Sequence, residues 1–575
     1  MKSEHWKSIN YSLISKVLSE LHFEEKLQFE CLDEMEKQYY LQGKKQRWEF
    51  QATQTIWGML LIDPNSLRVS TGGNLLVTEL LLDIQELIEI NDINLAGLLE
   101  EIQQTLYCDL QVASKNPLCS ARELVTMDEV TRQQYLNAHP KAIANKGRLG
   151  WGNEELAAYS PESAKAIELH YVAIKKGLCG IGYREKLTQK ELFTDILGKQ
   201  AYQALIEPIP VGKEDAFFIF AVHPWQFKRF ICVQYAQYFA EGEAIDLGVA
   251  KGGWLAQQSI RTLSAIDPNL KYDVKTSLTI LNTSCYRGIP GQFIKQGPIL
   301  SAWLANITKQ DPLLNRLGLH VQQEVAGVHC PHPQQQHIEG SYRYNEMLGC
   351  IWRESAQSIL TDNQRPLSMA TLMQEDLVGD AAIVALIELS ALDAESWLRK
   401  LFQHVVVPLY HLMCRYGVAL VAHGQNITLV LENNQPVGCM IKDFHGDLRL
   451  IDQDFPELLS LDDNVVKHLT RLPKEYLIHD LITGHFVTVL RFVSPKLTKI
   501  GISEIQFYAW LADEIKTYQQ LNPSLQARFA MFDILKPNIE KICVNRVRFK
   551  IGYGDSEERP LPELGTPISN PLHCD

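Results

Sequence analysis

Ser259, Arg261, Lys275, Thr283, Ser284 and Arg287 crowd into two neighbouring runs of the chain, QQSIRT and KTSLTILNTSCYRG. Cations held on packed strands form a rigid receptor for phosphate oxygens, and a guanidinium such as that of Arg287 can offer two parallel N–H donors to one of them. Thr283 and Ser284 add hydroxyl donors. Ser259 and Arg261, two positions apart, share a face if that run is extended. The chemistry these types suit is binding of a polyphosphate, and so use of a nucleotide, without a glycine-rich loop.

Three further clusters extend that chemistry. HPKAIANKGRLGW sets His139, Lys146 and Arg148 beside Gly147 and Gly150; glycines let backbone approach an anion that the cations would hold. VHPWQ reads as a corner in which Pro224 disfavours helix at His223 and Trp225 anchors the turn, leaving Gln226 to touch a ligand. VAHGQN supplies His423, Gln425 and Asn426 ahead of a hairpin, ITLVLE and VGCMIKDF joined by Asn433, Asn434 and Gln435, which ends on Asp443. A carboxylate there is a hard oxygen ligand suited to Mg²⁺ opposite the phosphate cations. This order of polar loop, hairpin and acid is shared with protein kinases, but no HRD and no glycine-rich loop accompany it. HCPHPQQQH, with His329, Cys330, His332 and His337, has ligand-type side chains at a spacing that matches no closed zinc site.

The elements that must position these groups follow from pattern. Val274, Thr276, Leu278 and Ile280 alternate with Lys275, Ser277, Thr279 and Leu281, the period of a strand. Residues 5–110 read as helical, 115–165 as loop-rich, and the middle third as short β-branched and aromatic runs such as AFFIFAVHPW and FICVQYAQYF. Ala381–Tyr416 and the stretch from Leu461 to Pro537 read as helical again. At 575 residues the chain needs more than one core. A net charge of -13 excludes a general nucleic-acid binder, so an anion site must be a local basic pocket. The amino end has no apolar leader, the apolar run from Ala381 is broken by acids, and twelve cysteines occur without a CxxC. The expectation is a cytoplasmic protein with reduced thiols, no membrane span and no nucleic-acid partner.

Taken in order from about His139 to Asn545, the motifs HPKAIANKGRLGW through YSPE, HPWQ, SIRT, KTSLTILNTSCYR, HGQN and the following DF resemble the IucA/IucC family of siderophore synthetases. The resemblance implies an α+β multi-domain chain with a hand-like, three-part architecture: a mostly helical part (1–125), a β-rich ATP-binding middle (126–375), and a mostly helical part with a β-hairpin (376–575). It implies adenylation of a carboxylate of citrate or a citryl intermediate by ATP with Mg²⁺. Condensation with a polyamine, hydroxylated amine or amino-alcohol would follow, in a homodimer. His139, Lys146, Ser259, Arg261, Lys275, Thr283, Ser284, Arg287, Gln425 and Asp443 would then bind ATP, with Asp443 and Gln425 serving the metal. Lys275, Arg287 and His423 would carry catalysis, and His423, His485 and Arg491 would meet the substrate carboxylate. Three positions depart from the family pattern: Ala142 stands where a second His is usual, Val421 where an acid is common, and Lys442 where Arg is usual. The competing readings are a kinase-like phosphotransferase and a catalytically impaired family member.

Overall fold

The computed structural model describes residues 2–72, 75–115, 119–250, 252–283, 285–444, 446–551 and 563–573. It is a mixed α+β fold built of several small sheets and many helices. Ser284, one of the expected phosphate ligands, lies outside the described residues.

The lysine-bearing strand lies in the largest sheet. Tyr272–Thr276 pairs antiparallel with Thr262–Ala265 on one side and Gly349–Glu354 on the other, inside a six-stranded antiparallel sheet. The alternation noted above is broken at Ser277. Leu278–Asn282 leaves that sheet and forms its own hairpin with Cys285–Arg287. Ser259 and Arg261 do not share a strand face. They sit in the tight turn between Trp254–Ala256 and Thr262–Ala265, closed by the Ile260 amide donating to the Gln257 carbonyl at 2.7 Å. Ile260 has φ 62°, an unusual conformation for a β-branched residue, and its side chain is buried with Trp151, Trp225 and Ile280.

The hairpin Ile427–Glu432 with Gln435–Ile441 forms as expected, turning on Asn433 and Asn434 at φ 50° and 63°. Asparagine tolerates this left-handed pair, which a two-residue hairpin turn requires. Strand Leu319–Val321 pairs parallel with Gln435–Ile441 and strand Gln364–Ser368 antiparallel with Ile427–Glu432, making a four-stranded sheet whose end delivers Lys442 and Asp443.

Two stretches differ from the pattern reading. Residues 5–110 are not helical throughout: after the helix Lys2–Phe23, a five-stranded sheet occupies Glu30 to Val69 before helices resume at Val77. In strand Arg47–Gln54 the buried Trp48, Phe50 and Ala52 alternate with more exposed neighbours, a period of two that favours a half-buried strand over a helix. The aromatic run FICVQYAQYF is helical rather than extended. Pro224 starts a helical stretch that continues to Ala240, and the His223 ring accepts the Trp225 amide at 3.2 Å as its cap. At the other end, Asn538–Cys543 and Glu563–Ser569 form a two-stranded sheet not expected from pattern.

Three large hydrophobic cores underlie these elements among the described residues. One gathers Leu13 to Leu106 around Trp48, a second spans Ile167 to Trp352, and the third runs from Leu124 to Leu572 but also takes in Phe23, Trp57 and Met59. The first helix therefore packs into two cores, and two buried acids at its end make long-range bonds. Glu20 accepts two hydrogen bonds from Arg491, at 2.8 and 2.9 Å. Glu24 accepts the amides of Val544, Asn545 and Arg546 at 2.8–3.2 Å, a carboxylate cap for the helix Asn545–Ile551. The helical stretch Lys474–Ile500 is long and apolar enough by composition to cross a membrane, but 89% of its apolar window is buried inside the protein.

Candidate active site

A cleft opens where the six-stranded sheet, the HPKAIANK loop and the HGQN loop meet. His139, Ser259, His423, Gln425, Lys442 and Asp443 line it. A smaller recess shares Asp443 and adds Lys275, Arg353, Asp273 and Glu324. Four of the expected motifs therefore converge through space, although the chain separates His139 from Asp443 by most of the β-rich middle.

Asp443 is the electrostatic centre. Lys275 Nζ lies 2.5 Å from its Oδ1 and Arg353 NH1 3.1 Å from its Oδ2. Burial alone would raise its pKa; Lys275 and Arg353 overcome that and hold the carboxyl well below the usual range. Burial opposes the charge on Lys275 in turn, and the charged pair is the state its contacts favour. Asp443 itself has φ 62°, so the strand end is bent to bring the carboxylate onto the sheet. Arg353, on strand Gly349–Glu354 beside Lys275, was not expected from sequence; it is a lone cation in an apolar run, with no local motif to mark it.

Arg261 and Arg287 form a second cationic group close to the first. Arg261 NH1 donates to the Gly288 carbonyl, and Arg287 NH2 donates to Thr283 Oγ1 within its own hairpin. Burial lowers the Arg261 pKa and the nearby Arg287 lowers it further, as two like charges close together must. Among the described residues the Ser259 hydroxyl and Arg287 Nε are buried without a partner. Buried donors of this kind cost stability unless something satisfies them. Thr283 has φ 53°, so the hairpin turn is also held in a strained conformation.

The third wall is a pair of histidines. The rings of His139 and His423 stand 6.4 Å apart and nearly perpendicular. His139 Nδ1 accepts the Ala142 amide at 3.3 Å and His423 Nδ1 accepts the Gln425 amide at 3.2 Å. With Nδ1 used as an acceptor, the proton of each neutral ring sits on Nε2. Burial lowers both pKa values, His139 well below 6.5, with His423, Lys141, Lys16 and Arg287 adding to the effect. The pair is therefore two neutral donors at pH 7. Ala142, where the family's second His is usual, supplies only its backbone.

The HGQN loop is held by close backbone approaches. The Gly424 carbonyl accepts from the Ala370 amide and the Ser368 hydroxyl, both at 3.0 Å, and a Cβ at 424 would come within 3.0 Å of that amide. Gly484 allows the helix behind to approach similarly, since a Cβ there would meet the Ala422 amide at 2.8 Å. The acid missing at Val421 has a spatial neighbour in Asp447. Its carbonyl accepts the Val421 amide at 2.9 Å, its carboxylate accepts Asn426 Nδ2 at 3.0 Å, and its charge favours protonation of His423.

Several expected ligands are elsewhere. Lys146 is buried and bonded to Asp109 at 2.7 Å, with Glu162 at 3.6 Å, and Arg148 is bidentate to Glu162 at 2.6 and 3.0 Å. These cations hold the loop together and do not line the cleft; a cation beside glycine has the same sequence signature in a buried ion pair as in an anion site. Arg491 does not line the cleft. It is committed to Glu20 and stacks over Phe23 with its guanidinium 4.0 Å from the ring centre. His485 is fully buried, donating Nδ1–H to the Ala422 carbonyl at 3.0 Å, and so supports His423 from behind. Gln226 spends its amide on Thr279 and the Met347 carbonyl, at 2.8 and 2.9 Å. His329 and His332 bond the Asn345 carbonyl and the Gln334 and Gln335 amides.

Burial holds the His485 ring neutral, with a pKa lowered from 6.5 to about 4. Between those values the unfolded chain takes up a proton that the folded one refuses. Stability from this ring is thus complete above pH 6.5 and is lost as pH falls toward 4. His485→Asn keeps a donor for Ala422, and should reduce the loss of stability between pH 6.5 and 5 by about 2 kcal/mol, read from urea midpoints. Parallel pH profiles for variant and wild type would refute a neutral buried ring.

Comparison with known proteins identifies the lineage. The chain is 38% identical to aerobactin synthase of Escherichia coli, the alignment covering 100% of this chain and 98% of that protein. The chain belongs to the IucA/IucC family. Residues 129–374 match the family's own description, "IucA / IucC family", and residues 395–556 match "Ferric iron reductase FhuF-like transporter". The rhizobactin siderophore biosynthesis protein RhbF of Rhizobium meliloti is 32% identical over 99% of this chain and 96% of its own length. Aerobactin synthetase IucC from a hypervirulent Klebsiella pneumoniae superposes with TM-score 0.88 at 37% identity, covering 100% of this chain and 99% of that one. The α+β fold described above is thus the family's fold.

Proposed function

We propose that this member of the family is a ligase of citrate-based siderophore biosynthesis that uses ATP to activate a carboxylate of citrate or a citryl intermediate. A carboxylate oxygen attacks the α-phosphorus, the bond to the pyrophosphate oxygen breaks, and an acyl-adenylate forms. An amine or hydroxyl then attacks the acyl carbon, AMP leaves with the electron pair of the C–O bond, and the nucleophile's proton passes to solvent or a base. The products are an amide or ester, AMP and pyrophosphate.

The observation that carries this reading is that Lys275, in the recess adjoining the cleft, bonds Asp443, while Arg261 and Arg287 lie close enough to act on the charges of Asp443 and His139, which line the cleft with His423. Two anions must meet in the first half-reaction, and fixed cations in a buried site screen both. Arg287 Nε and the Ser259 hydroxyl are donors waiting for acceptors. The neutral Nε2–H groups of His139 and His423 can donate to an α-phosphate or carboxylate oxygen without adding charge. Asp443 and Gln425 offer only oxygen ligands, the type Mg²⁺ takes, and Mg²⁺ commonly needs just one or two protein oxygens beside substrate phosphates. When bound, it would neutralise phosphate charge, with Asp443 exchanging its bond to Lys275 and freeing that ammonium for the triphosphate. Two similarities support the reading: a Klebsiella pneumoniae structure described as ATP-bound aerobactin synthetase IucA has this fold, and relatives include the N(2)-citryl-N(6)-acetyl-N(6)-hydroxylysine synthase of Vibrio mimicus.

Hydroxylamine tests the activation step directly, because it traps an activated acyl group without the natural nucleophile. Incubation with ATP, Mg²⁺ and a carboxylate panel should yield hydroxamate with citrate or a citrate monoamide, and AMP in equal amount. ADP as the nucleotide product would favour phosphotransfer instead, and absence of hydroxamate with every citrate-like acid would sink the proposal.

A further inference from the structure

The HCPHPQQQH motif does not line the cleft, but its cysteine faces another across the sheet. Strand Gly180–Tyr183 is an edge of the six-stranded sheet and runs antiparallel to Glu324–His329, with Tyr183 opposite Ala326 and Gly180 opposite His329. One step further along this register Cys179 stands opposite Cys330, and the Cys179 backbone is extended, at φ -114° and ψ 141°. The Cys330 amide donates to the Leu348 carbonyl at 2.9 Å, and the Cys179 amide to the Lys176 carbonyl at 3.2 Å. Both amides thus point away from the opposite cysteine. That makes them a non-hydrogen-bonded pair, the closer of the two antiparallel kinds, with Cα atoms typically about 4.5 Å apart and side chains on one face. A disulfide spans Cα separations of roughly 4.4–6.8 Å. Cys31, Cys285, Cys350, Cys439 and Cys543 also lie in strands, but each pairs with a residue of another type.

The two thiols differ in access. Cys179 is half-buried, its Sγ 3.4 Å from the Lys175 carbonyl, whereas Cys330 is fully buried. The contact between the two thiols, and then burial, push the Cys330 pKa far up, so Cys330 keeps its proton and Cys179 is the thiol that an oxidant meets first. Cys330 is also the root of the loop that runs to Leu348, and the Tyr235 hydroxyl donates to its carbonyl at 3.0 Å. That loop holds the hairpin of Arg287 from outside. Tyr342 Oη accepts the Tyr286 amide at 2.6 Å, and the Glu346 carbonyl accepts the Ile289 amide at 3.0 Å and the Ser277 hydroxyl at 2.7 Å.

We propose that Cys179 and Cys330 form a site of reversible oxidation, closed to a disulfide by a hydroperoxide and reopened by a dithiol. The Cys179 thiolate attacks one peroxide oxygen, the O–O bond breaks, and Cys179 sulfenic acid and water result. The Cys330 sulfur then attacks the Cys179 sulfur, the S–S bond forms as the S–O bond breaks, and the Cys330 proton leaves with the hydroxide as a second water. Each sulfur gives up one electron and the peroxide takes both. The bond ties the edge strand to the root of the loop that holds the Arg287 hairpin, and it joins positions already opposed, so the sheet is stapled without being rearranged. The site stands independently of the adenylation reading.

The full-length protein, reduced and then treated with a slight excess of hydrogen peroxide, tests it by intact mass and peptide mapping. Wild type should become about 2 Da lighter, lose the free thiols of both residues, and yield a tryptic peptide joining Cys179 to Cys330; dithiothreitol should reverse all three. Cys179→Ser should abolish the cross-link, and Cys330→Ala should let Cys179 run on to the sulfinic acid, about 32 Da heavier. The oxidised wild type should unfold at a higher urea concentration than the reduced protein, because a cross-link restrains the unfolded chain, and peroxide should not raise the midpoint of Cys179→Ser. If Cys330→Ala does not fold, Cys179→Ser at the more exposed position carries the test alone. No reaction with peroxide, over-oxidation of Cys179 in wild type without the cross-linked peptide, a disulfide to a different cysteine, or a cross-link that lowers the urea midpoint would each overturn the assignment.

Discussion

Arg287→Ala lowers kcat/KM by about 10²–10³-fold, the usual cost of losing one preorganised donor to a developing anion. The fold should survive, because among the described residues the one side-chain bond made by Arg287 is to Thr283 in its own hairpin, and the residue is only partly buried. The rate loss should fall on the activation step, so hydroxamate formation and pyrophosphate exchange should drop together. Near wild-type turnover would remove the triphosphate from this hairpin. The effect is expected to exceed that at Arg261, whose NH1 is already occupied by the Gly288 carbonyl.

The second large effect is on stability. Arg491→Met leaves the Glu20 carboxylate buried without its counter-charge, and removing one partner of a buried pair costs about 3–5 kcal/mol. The guanidinium also stacks on Phe23 and Phe492, at 4.0 and 4.5 Å from their ring centres. The variant should unfold at distinctly lower urea concentration, yet show an unchanged KM for the carboxylate substrate when assayed cold, where it is folded. Little change in stability with a large rise in that KM would restore Arg491 as a substrate ligand.

These two arginines show what sequence could and could not disclose. Arg287 lies in a dense local run with Lys275 and Thr283, and that density is itself the signal of an anion site. Arg491 is isolated in an apolar helical stretch, and its partner lies 471 positions away. No local pattern distinguishes a buried pairing of that kind from a ligand. Arg353 was missed for the same reason, since it gains meaning only from a distant neighbour, Asp443. Lys146 misled because glycine beside cations fits both an anion loop and a buried ion pair. The sheet from Glu30 to Val69 was legible in the alternation of Trp48, Phe50 and Ala52, but it lies between two strongly helical stretches that outweighed it. Asp443 was legible because a hairpin leads to it, and the hairpin's Asn433–Asn434 turn marks the register.

The bonds that Glu20 and Glu24 make to Arg491 and Asn545 have a consequence during synthesis. A ribosome adding about 5–20 residues per second would take roughly 25–95 s to travel from Glu20 to Arg491. Until then the two carboxylates of the first helix that the folded protein buries have no such partners. The last elements to emerge are thus the ones that lock the first into place.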